Sequence, residues 1–116
     1  MNKFIELLKA FSDETRLRII NILNQGEYCN CDIEDVLEIS QANTSKHLKK
    51  LALLDIVKSR KESYWTYYSL NEEILKNHEF IFELLKEIKE VEPFKSDLKK
   101  LKIHEQLPKK CHIKKG

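Results

Sequence analysis

Cys29 and Cys31 are the residues whose type and spacing point most directly to chemistry. On a regular helix, residues two apart diverge by roughly 200°, so a C-x-C pair grips one ion only where the chain is extended or at an irregular helix end. Cys29-Asn30-Cys31 runs into a short helical pattern at Ile33, Val36 and Leu37, which puts the pair at such an end. A thiol at a helix N-terminus is expected to ionise readily because the dipole stabilises the thiolate, and thiolates are what soft ions bind. The competing readings are two small buried residues, or a redox sensor in which Cys29 or Cys31 pairs with Cys111 on oxidation. A third cysteine, Cys111, stands beside His112 in a basic C-terminal stretch, and three thiols make an odd number for a disulfide framework.

A second constellation is polar and basic. Ser40 is a good cap for a helix in which Leu48, Leu51 and Leu54 form the buried face while Lys46, Lys49 and Lys50 point elsewhere. The net charge of +2 conceals a strong polarity. Residues 40–61 hold six basic side chains against Asp55 alone, and residues 93–116 hold eight against two. Residues 1–39 and 62–92 are both acidic, each with eight carboxylates. A basic stretch inside an otherwise acidic body is the electrostatic footprint of a nucleic-acid contact, or else a solvated lysine face.

The elements that must position these groups are mostly helical. Phe4, Leu7, Leu8 and Phe11 fall at i, i+3, i+4, i+7 and predict a helix over residues 2 to 11. Ser12 or Asp13 caps a second one carrying Leu17, Ile20 and Leu23, which stops at Gln25-Gly26. After the short helix and the Ser40 helix the period changes to two: Ile56, Lys58 and Arg60 alternate with Val57 and Ser59, and Tyr64-Trp65-Thr66-Tyr67-Tyr68 is dense in strand formers. This predicts a hairpin turning at Lys61-Glu62-Ser63. Asn71 caps one long helix through Ile74, Leu75, Ile81, Phe82, Leu85 and Ile88, and a weaker helix is expected from Ser96 to Gln106.

That order is mainly α with one β-hairpin: a winged helix-turn-helix flanked by helices at both ends. The domain and its dimerisation helix occupy residues 1–92, and a C-terminal helix with a basic tail occupies 93–116. The end helices are too apolar for one small monomer. Pairing them across a two-fold axis in a homodimer spaces two recognition helices by about 34 Å, one turn of double-stranded DNA.

The stretches Leu8-Lys9-Ala10-Phe11-Ser12-Asp13-Glu14-Thr15-Arg16-Leu17-Arg18-Ile19, Cys29-Asn30-Cys31-Asp32 and Ser40 through Leu51 together resemble the ArsR/SmtB family of small dimeric winged-helix repressors that sense metal or metalloid ions. The resemblance covers roughly residues 4 to 90. It implies a repressor released from its operator by a thiophilic ion, arsenite or antimonite first, with Cd(II) and Pb(II) as further candidates. It favours Gln41, Ser45 and Lys46 as base or backbone contacts. Asn43 and Thr44 share the first turns and are read either as DNA contacts or as capping and packing groups. His47 is a phosphate contact or a hydrogen-bonded partner between helices, and Lys49 a phosphate contact. Arg60 and Lys61 are wing contacts or a solvated hairpin tip. Some arsenic-sensing relatives carry a third cysteine where this chain has Glu34, so a three-sulfur site here needs Cys111 with Cys29 and Cys31; two thiolates with water, another thiol or His112 are the fallback. Asp55 stands where many members have glycine, and the wing turn lacks its usual glycine. On the long helix only His78 with Glu79 is available for the family's other site type, and His104 is expected at the surface.

Other classes find little here. There is no nucleophile elbow, no phosphate-cradling loop, and two glycines are too few for most cofactor loops, so an enzyme is not expected. No apolar run approaches the roughly 20 residues of a membrane span, and the N-terminus lacks a signal-peptide core, which predicts a cytoplasmic protein without membrane contact. A thiol redox-sensing repressor of the same fold is the main alternative, and a module whose basic surface binds protein is a third.

Overall fold

Side-chain caps set most of the helix starts in the structure, a computed structural model that describes residues 2–107. Asn2 Oδ1 accepts from the Phe4 amide, Asp13 Oδ2 from Arg16, Ser40 Oγ from Asn43 and Asn71 Oδ1 from Glu73, each satisfying an amide that the helix itself cannot. The elements are α1 (Lys3–Phe11), α2 (Glu14–Leu23), β1 (Tyr28–Cys29), α3 (Asn30–Leu37), α4 (Gln41–Leu53), β2 (Val57–Glu62), β3 (Trp65–Leu70), α5 (Glu72–Asn77), α6 (Glu79–Ile88) and α7 (Phe94–Glu105).

Helices α3 and α4 form the helix-turn-helix. Its turn is made by Glu38 in the left-handed region (φ 56°), then Ile39 and the cap Ser40. Asp55 is also left-handed (φ 59°), as expected of a residue standing in a glycine position. The core joins Leu7 and Phe11 of α1, Ile19, Ile20 and Ile22 of α2, Ile33 and Leu37 of α3, and Leu48 and Leu51 of α4, capped by Ile56, Ile81, Leu85 and Leu101.

Three elements differ from the sequence expectation. The hairpin turns one to two residues later than predicted. Lys61 and Glu62 stay in β2, paired with Thr66 and Trp65, and the two-residue loop is Ser63-Tyr64 with Ser63 left-handed. The sheet gains a third strand, since Tyr28 and Cys29 pair with Tyr68 and Tyr67 in the order β1-β3-β2. A two-residue strand carries no periodicity to read. The single long helix after Asn71 is broken at His78 (φ −138°, ψ 85°), where two weak helix formers, Asn77 and His78, adjoin. The His78 ring lies edge-on between Phe4 and Phe80.

The weak C-terminal helix forms, and it lies on α2 and α3. Asp97 accepts two hydrogen bonds from Arg18, at 2.8 and 2.9 Å, and Asn21 donates to the Phe94 carbonyl. No helix among the described residues is long and apolar enough to cross a membrane.

Candidate metal centre and nucleic-acid interface

Cys29 ends β1 in an extended conformation (φ −80°, ψ 162°), and Cys31 lies in the first turn of α3. The change from strand to helix between them cancels the divergence that a continuous helix would impose. Their sulfur atoms are 3.0 Å apart. Asp32 completes the group: its carboxylate and the two sulfurs all lie within 4.8 Å of one another. Cys31 is disulfide-bonded in this structure, so the mixed site of two soft donors and one hard donor for a thiophilic or borderline cation belongs to the reduced protein.

Asp32 is held from two sides. One carboxylate oxygen accepts from the Cys29 amide at 3.2 Å, and the other is 2.9 Å from His104 Nε2 on α7. Asp32 is 2% exposed, so this arrangement is internal to the protein. His104 is therefore not the surface residue expected from the sequence; α7 packs against α3 and turns the ring inward. Beside the pair a cleft of about 410 Å³, lined by Tyr28, Asp32, His104 and Glu105, opens to solvent.

The expected activation of the thiol is corrected. Burial pushes the Cys29 thiol up to about 11, and hydrogen bonds from the Asp32 and Cys31 backbone do not offset it. The Asp32 carboxylate adds to the rise. Desolvation and a neighbouring negative charge both disfavour a thiolate, and here they outweigh the helix end. Glu34 accepts from the Asn30 side chain at 3.2 Å. Cys111 and His112 lie outside the described residues.

The predicted DNA-facing residues divide sharply on α4. Gln41, Ser45, Lys46 and Lys49 are exposed and Asn43 half-exposed. Ser45, Lys46 and Lys49 line an open groove of about 610 Å³ whose far wall is Ser59 and Tyr68 of the hairpin. Thr44 and His47 point the other way. Thr44 is fully buried and its hydroxyl donates to the Ser40 carbonyl at 2.8 Å. His47 Nδ1 lies 3.5 Å from Arg16, whose guanidinium also donates to the Ala10 and Lys9 carbonyls at the end of α1. A side chain turned into the core offers nothing to a base edge, so Thr44 and His47 leave the contact set and hold the helix in place. In the wing, Lys61 is exposed at the hairpin end. Arg60 is taken up by Glu27, which accepts at 2.7 and 2.8 Å, and it lies over the Tyr67 ring.

Sequence reasoning assigned no role to Asp32, although it directly follows Cys31, nor to Glu27 and Arg16. Asp32 was findable, since a carboxylate next to a C-x-C pair is itself a ligand type. The partners of Arg60 and His47 come from residues about 30 positions away, and no local signal marks them.

The helix-turn-helix region, residues 13–59, matches the family model described as "Bacterial regulatory protein, arsR family". The chain is 44% identical over 72 residues to the cadmium resistance transcriptional regulatory protein CadC homolog of Staphylococcus aureus, a match covering 61% of this chain and 60% of that protein. It is 32% identical over 74 residues to the arsenical resistance operon repressor of Bacillus subtilis, covering 63% of this chain and 70% of that one. Among solved structures, the transcriptional regulator HlyU from Vibrio vulnificus superposes with a TM-score of 0.60 at 34% identity, covering 71% of this chain and 86% of that one. The chain spans about three fifths of the length of the cadmium regulator. The recognition-helix pattern, the winged architecture and these similarities converge, and the chain belongs to the ArsR family of bacterial regulatory proteins.

Proposed function

We propose that the chain is a homodimeric transcriptional repressor that binds duplex operator DNA and lets it go when a thiophilic ion occupies the Cys29–Cys31 site. The observation that carries this reading is the meeting of Cys29, Cys31 and Asp32 within 4.8 Å at the start of α3, the helix that leads directly into α4. Gln41, Asn43 and Ser45 read base edges, while Lys46, Lys49 and Lys61 contact phosphates. Arsenite and antimonite are the first candidate inducers and Cd(II) and Pb(II) the next; relatives named for arsenical and for cadmium resistance support arsenite and Cd(II).

The switch follows from the local geometry. Two sulfurs on one tetrahedral, zinc-sized ion at bond lengths near 2.3 Å stand about 3.8 Å apart, and on a pyramidal As(III) or Sb(III) centre the narrower bond angle sets them closer than tetrahedral geometry would. Here they are 3.0 Å apart, so chelation spreads the junction between β1 and α3. Ion binding and the present first turn of α3 therefore compete. The dimer is supported by the exposed apolar side chains of α1 and α6, Phe4, Ile5, Leu8, Phe80 and Phe82, an apolar surface that a monomer would leave in water.

The test is a titration of the reduced protein on operator DNA with arsenite, antimonite, Cd(II), Pb(II) and Zn(II), following DNA release and sulfur-to-metal absorption together. Release with a 5- to 150-fold loss of affinity is expected for at least one ion. A Cys29→Ser protein that lets go at the same ion concentration refutes the site. Release by peroxide and not by any ion instead supports the thiol-redox repressor. Replacing Cys111 by Ser decides the donor set: absorption falls by about a third if three sulfurs bind and is unchanged if two sulfurs and Asp32 suffice.

A further inference from the structure

The C-terminal helix α7 is stitched to both ends of α3 by one stripe of side chains. Asp97, Lys100 and His104 recur at i, i+3 and i+7, which places them on one face of the helix. At the far end of α3, Asp97 holds Arg18, and the same guanidinium reaches the Leu37 carbonyl at 3.4 Å. One turn on, Lys100 Nζ is 2.7 Å from Glu38, the left-handed residue that opens the helix-turn-helix turn. At the near end of α3, His104 meets Asp32 at 2.9 Å, and Glu105 accepts from the Tyr28 hydroxyl, also at 2.9 Å. A single rigid element therefore touches the ion site at its C-terminal end and the turn before the recognition helix in its middle.

We propose that α7 couples the sulfur site to α4, with His104 as the positioning residue that senses Asp32 and the Lys100–Glu38 and Asp97–Arg18 contacts passing its movement to the turn. The inference rests on the reading of Cys29 and Cys31 as an ion site. Asp32 is the hinge of the coupling: it is at once a possible oxygen donor to the ion, the acceptor for the Cys29 amide and the partner of His104. An ion that spreads the two sulfurs or draws on the Asp32 carboxylate changes both of its hydrogen bonds. His104 then either follows or loses its partner. Because Asp97 is 1% exposed and bonded to Arg18 through both oxygens, α7 moves with the α2–α3 frame at that end and levers against it at the other. Coupling of this kind needs one element contacted from both sites, and among the described residues α7 bonds both to Asp32 and to Glu38.

The experiment measures operator affinity with and without saturating ion, occupancy being verified by sulfur-to-metal absorption, for wild type and four variants. His104→Leu removes the bond to Asp32, whereas His104→Gln keeps an uncharged donor near the same place. Lys100→Glu repels Glu38, and the exchange Lys100→Glu with Glu38→Lys restores an opposite pair on exposed side chains whose substitution leaves the core intact. The expected result is ion-free DNA affinity within about twofold of wild type throughout, and an ion-induced loss that falls from 5- to 150-fold to under about threefold in His104→Leu and Lys100→Glu. His104→Gln and the exchanged pair are expected to regain it. Should His104→Leu and Lys100→Glu release DNA as wild type does, α7 is not the coupler and the ion-sensing reading stands. Should wild type itself release DNA with none of the ions, that reading falls and the coupling falls with it.

Discussion

His47 sits on the recognition helix yet serves its placement. Burial holds its pKa below the usual histidine range, Lys46 and Arg16 push in the same direction, and Asp13 pulls the other way. A neutral ring can accept from the Arg16 guanidinium, and a protonated one cannot. The folded state therefore binds this proton less readily than the unfolded chain. Its contribution is present above the unfolded value near 6.5 and is lost as pH falls through the lower folded value. Thermal melts of wild type from pH 7.5 to 5 are expected to lose stability more steeply than those of His47→Gln, and parallel curves would show that His47 is not the group responsible. On the outer face of the same helix, Gln41→Ala is expected to cost about 1 to 3 kcal/mol and to relax sequence preference. Lys49→Ala weakens all sequences alike and flattens the salt slope by about one. Competition binding at several salt concentrations separates the two.

At the scale of elements, the hairpin and α7 are defined by what they lean on. Arg60 is the wing cation nearest in kind to a minor-groove contact, but Glu27, just before β1, grips it through two hydrogen bonds. The carboxylate offsets the Arg60 charge on the wing. Glu27→Gln leaves Arg60 only the longer 3.5 Å pair with Glu62, and is expected to raise non-specific DNA affinity and steepen the salt slope by up to about one. An unchanged slope would mean that Arg60 takes no part in binding. For α7 the Arg18–Asp97 pair is the anchor, with Asp97 1% exposed and Arg18 largely covered. Asp97→Ala leaves a guanidinium without its partner, and a loss of about 3 kcal/mol in denaturant unfolding is expected.

At the scale of the whole molecule, the proposed dimer is tested at the exposed apolar side chains of α1 and α6. Leu8 on α1 and Phe82 on α6 are each about half exposed, and Phe4 meets His78 where α5 gives way to α6. Leu8→Glu with Phe82→Glu keeps the buried core of each chain and charges only this face. Sedimentation is expected to give the 13.8 kDa monomer for the variant and twice that mass for wild type, with operator affinity lost because one recognition helix reads only half a site. A variant that remains dimeric would place the interface elsewhere.

By itself the sequence determined what depends on neighbours along the chain. Asp13, Ser40 and Asn71 act where they stand, because a cap bonds an amide two or three residues on. The helix-turn-helix order, the wing hairpin and the place of Cys29 and Cys31 at the start of a short helix were legible for the same local reason, whereas the strand that holds Cys29 was not. Only the tertiary structure decided which way Thr44 and His47 turn, that Glu27 occupies Arg60, that burial raises the Cys29 thiol, and that α7 returns across α3 to set His104 against Asp32. Those outcomes depend on desolvation and on partners 31 to 72 residues apart, and neither leaves a mark on the spacing of nearby residues.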